Sequence, residues 1–333
     1  MNYKSIFNLL GILLGLFSLS FIPPLVLTFV YSESGREIFL YSFIFLFFLG
    51  GTLWVSTRQK NLPLNISDGF IITTMFWVVL ACAGSIPFYF FGLSIGDSIF
   101  ESVSGITTTG ATTIIGLDTL PKSILLYRQL LQWIGGMGLI ILAVAVMPAL
   151  GIGGGQLYKM ELPGSHGNQK LTPKITDSAK ALWKIYVGLT VLCATLYLIS
   201  GMSLFDSIAH SLSTVAGGGF STHDDSIGFF DSGLIETVCI VFMLLSAASF
   251  AVHYAAIFGG KPLKYFYDSE FRFFLSVILL IIMISLLVHI ISNSYADIFS
   301  AIKSTIFHTV SIVTTSGFTT ENFSLWPGFL PYL

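Results

Sequence analysis

DSIFESVSGITTTGATT (97–113), DSIAHSLSTVAGGGFST (206–222) and STIFHTVSIVTTSGFTT (304–320) align with one another without a gap. Ser104, Ser213 and Ser311 each lie six residues before a glycine: Gly110, Gly219 and Gly317. Ile99, Ile208 and Ile306 lie eleven before it, and hydroxyls come after it at Thr112/Thr113, Ser221/Thr222 and Thr319/Thr320. The glycines are 109 and 98 residues apart. A period near 100 residues exceeds solenoid repeat lengths and leaves room for an apolar span on each side of every short segment.

The rest of the chain supplies those spans. It is 54% apolar and 10% charged, against about 25% charged residues in an ordinary soluble domain, and its mean hydropathy is +0.85. Seven runs free of charged residues meet the roughly 20 residues that a bilayer requires: 5–32, 38–57, 69–96, 129–158, 185–205, 237–260 and 273–296. The first is too long for a signal-peptide core and lacks a small-residue cleavage site. It reads as a retained helix bent or interrupted at Pro23–Pro24. Cys82, Cys193 and Cys239 each stand alone inside a predicted span, a spacing that suggests neither a disulfide nor a metal site.

Basic residues orient the spans, because Lys and Arg accumulate on the cytoplasmic side. With the N-terminus inside, eleven of the fifteen Lys and Arg fall inside, leaving Arg36, Lys122, Arg128 and Lys303 outside. Twelve of the seventeen acids fall outside, and an acidic outer vestibule raises the local concentration of cations.

Each repeated segment is too short and too polar to cross. The reading is a half-helix and then a turn, a re-entrant loop entering from the outer face. Asp97 and Asp206 are expected to N-cap the half-helices, with Ser304 in the corresponding place, and the helices to end near Thr108, Gly217 and Thr315. Non-helical backbone survives at membrane depth only where it lines water or is buried in protein, so three such loops imply a pore. A permeating potassium ion sheds water and needs oxygen ligands, which rings of backbone carbonyls supply. Glycine tolerates the dihedrals that aim carbonyls at one axis, and half-helix C-termini present partial negative charge to a cation. The expected ion-binding residues are Thr108, Thr109 and Gly110, then Gly217, Gly218 and Gly219, then Thr315, Ser316 and Gly317. The expectation is an all-α channel with K+ as permeant ion and no cofactor, not an enzyme: no buried acid–base constellation is evident.

The three loops, QWIGGMGLIILAVAVMPALGIGGGQLYKMELPG (132–164) and LTPKITDSAKALWKIY (171–186) resemble the Trk/Ktr/HKT superfamily of potassium-uptake channels, and its TrkH branch in particular. The resemblance covers essentially the whole chain. It implies four helix–pore loop–helix units around one pore, preceded by two leading helices. On this chain that gives leading helices in 1–60, unit one in 61–160, unit two in 161–260 and an incomplete unit three in 261–333. The sequence given stops at Leu333, so the second helix of unit three and all of unit four are expected to be missing, and with them a closed pore from one chain. The resemblance also implies a bacterial inner-membrane location, a homodimer and a cytosolic nucleotide-binding regulatory ring reached through the lysine-rich loop 159–184; lipid is the remaining partner, and nucleic acid is not one. The alternative reading is a non-conducting remnant or an interaction partner of full-length subunits.

Other motifs carry less. GIGGG (151–155) comes after a membrane span rather than a strand and has no Gly-Lys-Ser/Thr after it, so a loop at a helix end is expected rather than a nucleotide site. His223-Asp224-Asp225 reads as a solvated loop rather than a metal site. His210 and His308 occupy the position held by Glu101 in the first loop, where packing or hydrogen bonding is expected, the lesser alternative being that they tune the filter. Arg128 is expected to pair with an outer acid or to snorkel.

Overall fold

The computed structural model describes residues 2–58, 66–150 and 175–332. It is all-α, with no strand among the described residues. The chain divides into two compact units, Met1–Trp183 and Lys184–Leu333.

The first unit opens with α1 (Tyr3–Ser18), a 3-10 turn at Leu19–Phe21 and α2 (Ile22–Val30). The turn precedes Pro23–Pro24, as the sequence indicates, because proline has no amide to donate and its ring clashes with the carbonyl four residues back. α3 (Arg36–Ser56) returns alongside α1 at backbone contact. A Cβ on Gly11 would lie 2.7 Å from the Trp54 amide nitrogen, and one on Gly50 would lie 2.6 Å from that of Gly15. The Asn8 side chain donates to the Trp54 carbonyl at 2.9 Å. Apolar helices in lipid gain nothing from hydrophobicity against each other, so close approach through small residues provides the packing. Gly50→Val is therefore expected to lower stability by about 2–3 kcal/mol, read as a drop in the thermal unfolding midpoint of the detergent-solubilised protein.

α4 (Ile66–Gly84) and α5 (Ile86–Phe90) lead into the short α6 (Ile95–Ile106), and α7 (Lys122–Leu150) closes the unit. Phe21, Phe39 and Phe88 pack around Tyr127, whose hydroxyl donates to the Gly84 carbonyl at 2.8 Å. The Glu33 carboxylate accepts the first amides of α7, from Lys122 at 2.7 Å and Ser123 at 3.0 Å. An acid at a helix N-terminus satisfies orphan donors and opposes the dipole.

α8 (Ile175–Ile199) runs across the boundary at Trp183, and the second unit continues with the short α9 (Leu204–Ala216), α10 (Gly233–Ala247), α11 (Phe250–Ile257), α12 (Lys264–Tyr267), α13 (Ser269–Ile291) and the short α14 (Ile298–Val313). Among the described residues, five helical stretches are long and apolar enough to cross a membrane: Tyr3–Val30, Arg36–Ser56, Ser67–Phe90, Lys180–Ile199 and Ser269–Ile291. They match five of the seven expected spans. A sixth, expected at 129–158, starts earlier, at Lys122, and its part beyond Leu150 lies outside the described residues.

The seventh requires correction: 237–260 is two helices, not one. Ala248 and Ser249 are extended (ψ 142° and 141°). No proline or glycine marks the break. It is tolerated because a side chain takes over a freed backbone group: the buried His253 places Nε2 2.9 Å from the Leu245 carbonyl and Nδ1 2.6 Å from the Tyr265 hydroxyl.

Candidate functional site

Each short helix is entered by the same device. The preceding helix ends on a left-handed residue, Gly92 (φ 102°), Gly201 (φ 107°) or Asn293 (φ 47°). The next amide reaches back five residues: Leu93 to Phe88 at 3.2 Å, Met202 to Tyr197 at 3.1 Å, Ser294 to His289 at 3.2 Å. That is a Schellman end, and it explains why runs read from charge to charge (69–96, 185–205, 273–296) extend past the true helix ends.

The caps also differ from expectation. Ser94 and Ser203 are the N-caps, accepting the Asp97 and Asp206 amides at 3.1 Å, and each serine hydroxyl donates to the same aspartate at 2.7 Å. Asp97 and Asp206 therefore sit in the first turn, where each carboxylate accepts from the hydroxyl of its cap. In the third helix the pair is swapped: Asp297 is the cap and Ser300 its partner, at 2.8 Å and 2.7 Å. Ser304 lies inside that helix. The signal was present as Gly-x-Ser just upstream of each of the first two segments, at 92–94 and 201–203, but the aligned window began after it.

The helices end at Ile106, Ala216 and Val313, close to the expected points, and the turn after each helix is built alike in all three loops. Thr108, Gly217 and Thr315 are left-handed (φ 54°, 68° and 61°), and so are Gly110, Gly219 and Gly317 (φ 78°, 77° and 77°). The residue between them donates its amide to the serine carbonyl five back: Thr109 to Ser104, Gly218 to Ser213 and Ser316 to Ser311, each at 2.9 Å. The serine hydroxyls work from behind, Ser104 donating to the Ala111 carbonyl at 2.5 Å and Ser311 to that of Phe318 at 2.7 Å. The serine that the alignment singled out six residues before each glycine is thus the anchor of the turn. For Thr108 and Thr315 a left-handed backbone costs roughly 1–2 kcal/mol each, and these hydrogen bonds hold it in place.

Gly219 and Gly317 are brought together: a Cβ on Gly219 would overlap the Ser316 carbonyl oxygen and lie 3.4 Å from the Gly317 carbonyl carbon. The segments beyond them are joined, since Gly228, in the 3-10 turn Ser226–Phe230, donates its amide to the Thr319 carbonyl at 3.1 Å and Ser226 Oγ accepts the Thr319 amide at 3.2 Å. Gly110 belongs to the other compact unit.

Behind the loops lie three buried polar side chains that sequence reasoning left as packing or hydrogen bonding: Glu101, His210 and His308, all 0% exposed. Each is hydrogen-bonded. Arg128 is also fully buried and does not snorkel; its Nε lies 2.6 Å from Glu101 Oε1. Acids gather beside the second and third loops. A depression of about 450 Å3 is lined by Asp224, Asp225 and Glu321 together with Thr319 and Thr320. Burial raises the Asp206 carboxyl, but hydrogen bonds from His223, Ser203 and Thr222 outweigh it and carry it well below the usual carboxylate range. Burial likewise raises Glu321, and hydrogen bonds from Ser304, Tyr295 and Trp326 more than offset it. A folded-state pKa that is depressed stabilises the fold above the ordinary carboxylate range and loses that contribution only as pH falls through it, so both side chains remain anionic at neutral pH. His223 stacks on Phe229 with ring centroids 3.5 Å apart.

Residues 35–331 match the family model described as TrkH, cation transport protein. The chain is 47% identical over 338 residues to the Trk system potassium uptake protein TrkH of Vibrio parahaemolyticus, covering 100% of this chain and 70% of that protein. It is 44% identical to TrkH of Escherichia coli K12, with 100% and 70% covered, and 40% identical to TrkG of the same strain, with 98% and 68% covered. The crystal structure of the potassium transporter TrkH from V. parahaemolyticus superimposes with a TM-score of 0.88 at 44% identity, covering 100% of this chain and 69% of that one. The chain belongs to the TrkH family of cation transport proteins.

Proposed function

We propose that this chain mediates potassium uptake across the bacterial inner membrane, through a filter to which its three loops each contribute backbone carbonyls. The supporting observation is the shared backbone: two left-handed residues flanking one anchored amide, at the same register in three loops, each at the C-terminal end of a capped short helix. Alternating dihedrals turn successive carbonyls toward one side, and helix ends offer partial negative charge there. Thr108, Thr109 and Gly110, Gly217, Gly218 and Gly219, and Thr315, Ser316 and Gly317 are the residues assigned to ion binding. In this reading the loops are re-entrant from the outside, the N-terminus is cytoplasmic, and the acids near Glu321 concentrate cations at the outer mouth. The unit boundaries are those given by the repeats, 61–160, 161–260 and 261–333 after two leading helices in 1–60. The resemblance further suggests a homodimer and a cytosolic nucleotide-binding regulatory ring. The loop that would meet such a ring, and GIGGG with it, lies largely outside the described residues.

The test is expression of the gene in a bacterium lacking its own potassium uptake. Growth at low external potassium, and K+ uptake that excess Na+ does not suppress, are expected. Membrane-inserted protein that leaves uptake at the level of the empty vector counts against the proposal.

A further inference from the structure

The side chain nine residues before each filter glycine does the same job in a different chemical form. His210 Nε2 lies 2.9 Å from Ser221 Oγ, two residues beyond Gly219. His308 Nε2 lies 3.4 Å from the Thr320 amide and 3.3 Å from the Glu321 carbonyl, just beyond Gly317. Glu101 accepts from Thr112 Oγ1 at 3.0 Å and 2.9 Å, and from the Thr113 amide at 3.4 Å, just beyond Gly110. Each is a strut from the short helix to the segment that leaves the glycine.

Only the first strut is an ion pair. Arg128 meets Glu101 through Nε at 2.6 Å and also donates from Nη2 to Thr112 Oγ1 at 3.0 Å. Guanidinium, carboxylate and hydroxyl form a closed triangle. The Thr112 oxygen donates to the carboxylate and accepts from both the guanidinium and the Ile114 amide at 3.1 Å, so neither its position nor its rotor is free. Burying such a pair is costly, and apolar side chains of similar volume would often pack as stably, so packing alone does not call for it. What charge-assisted bonds add is strength and fixed geometry.

We propose that Glu101 and Arg128 are specificity-determining positioning residues: acting through Thr112, they stiffen the segment leaving Gly110, so that the first loop does not contract around an ion smaller than K+. The proposal rests on the filter reading above. It assigns the first loop the most rigid support, because its strut is an ion pair closed through Thr112 where the other two are imidazoles bonded to a hydroxyl or to backbone.

The experiment measures K+ and Na+ uptake, together with membrane abundance, for Thr112→Val, Glu101→Gln, their double variant and Gly110→Ser. Thr112→Val keeps shape and leaves the ion pair intact, so it decides the matter alone if Glu101→Gln, which strips the charge opposite a buried arginine, is not recovered. Each single variant is expected to lower the K+ over Na+ uptake ratio about tenfold, the scale of one charge-assisted hydrogen bond, at near-normal abundance. The double variant is expected to be no worse than the more affected single one, since both act through the same contact. A Thr112→Val ratio within about twofold of the parent protein, well inside the effect of such a bond, overturns the proposal if Gly110→Ser still lowers the ratio; the filter reading then stands. Losses that simply add in the double variant overturn it as well. If Gly110→Ser leaves the ratio unchanged, the filter reading itself fails and the proposal falls with it.

Discussion

Replacing Gly219 by alanine is expected to lower the K+ over Na+ uptake ratio by at least about tenfold while the protein still reaches the membrane. Two costs coincide at this position. The backbone is left-handed (φ 77°), which penalises any residue with a Cβ by roughly 1–2 kcal/mol. The new methyl would also overlap the Ser316 carbonyl oxygen of the adjacent loop. That obstacle is backbone, pinned through the Ser316 amide to Ser311 at 2.9 Å, so relief requires moving a carbonyl that the filter reading assigns to the ion. About 1.4 kcal/mol of differential stabilisation is a factor of ten in rate, and the two effects together exceed it. Gly219→Ser is expected to act in the same direction. Gly233→Ala is the matched control: a Cβ there meets nothing within 4 Å, and the ratio should stay at the parent value. An unchanged ratio in Gly219→Ala would show that this carbonyl does not serve the ion.

The second large effect is structural. Gly135 is buried in α7, where a Cβ would overlap the carbonyl oxygen of Ile106 and lie 3.1 Å from its Cα. Ile106 is the last residue of the first short helix, so this glycine lets a long helix lie directly against the end that carries the turn at Thr108–Gly110. Gly135→Leu forces the two apart. Overpacking of this kind costs about 1–3 kcal/mol, and a rigid backbone neighbour puts it at the upper end. The thermal midpoint in detergent and the recovered yield should both fall, and the surviving protein should show weakened ion preference because Thr108–Gly110 is displaced with the helix. Gly188→Ala, where a methyl meets nothing within 4 Å, should leave the midpoint unchanged or raise it, alanine being the better helix former by about 1 kcal/mol. A Gly135→Leu protein as stable as the parent would mean that α6 and α7 are not held in direct backbone contact.

Much of this molecule is local chemistry and could be read from the chain. Apolar runs of bilayer length, the prolines that interrupt the first of them, and a serine six residues before a glycine in three places are features whose consequences lie within a few residues. The turn after each short helix is such a consequence: its left-handed residues and its serine anchor span only seven positions. Where local reading erred, it did so by a register. The caps are Ser94, Ser203 and Asp297 rather than the residues the repeat alignment offered, because an N-cap and its first-turn partner use interchangeable residue types, and only the course of the backbone tells which residue is outside the helix. Tertiary structure alone decided the rest. The break at Ala248–Ser249 has no sequence mark, since it depends on His253 replacing a backbone partner. Arg128 and Glu101 are 27 residues apart, and nothing in their spacing distinguishes a buried pair from two solvated charges. The same holds for Gly135 against Ile106 and for Gly219 against Ser316. Whether a glycine is spare or indispensable depends on which atom stands where its Cβ would be, and that atom comes from a distant part of the chain.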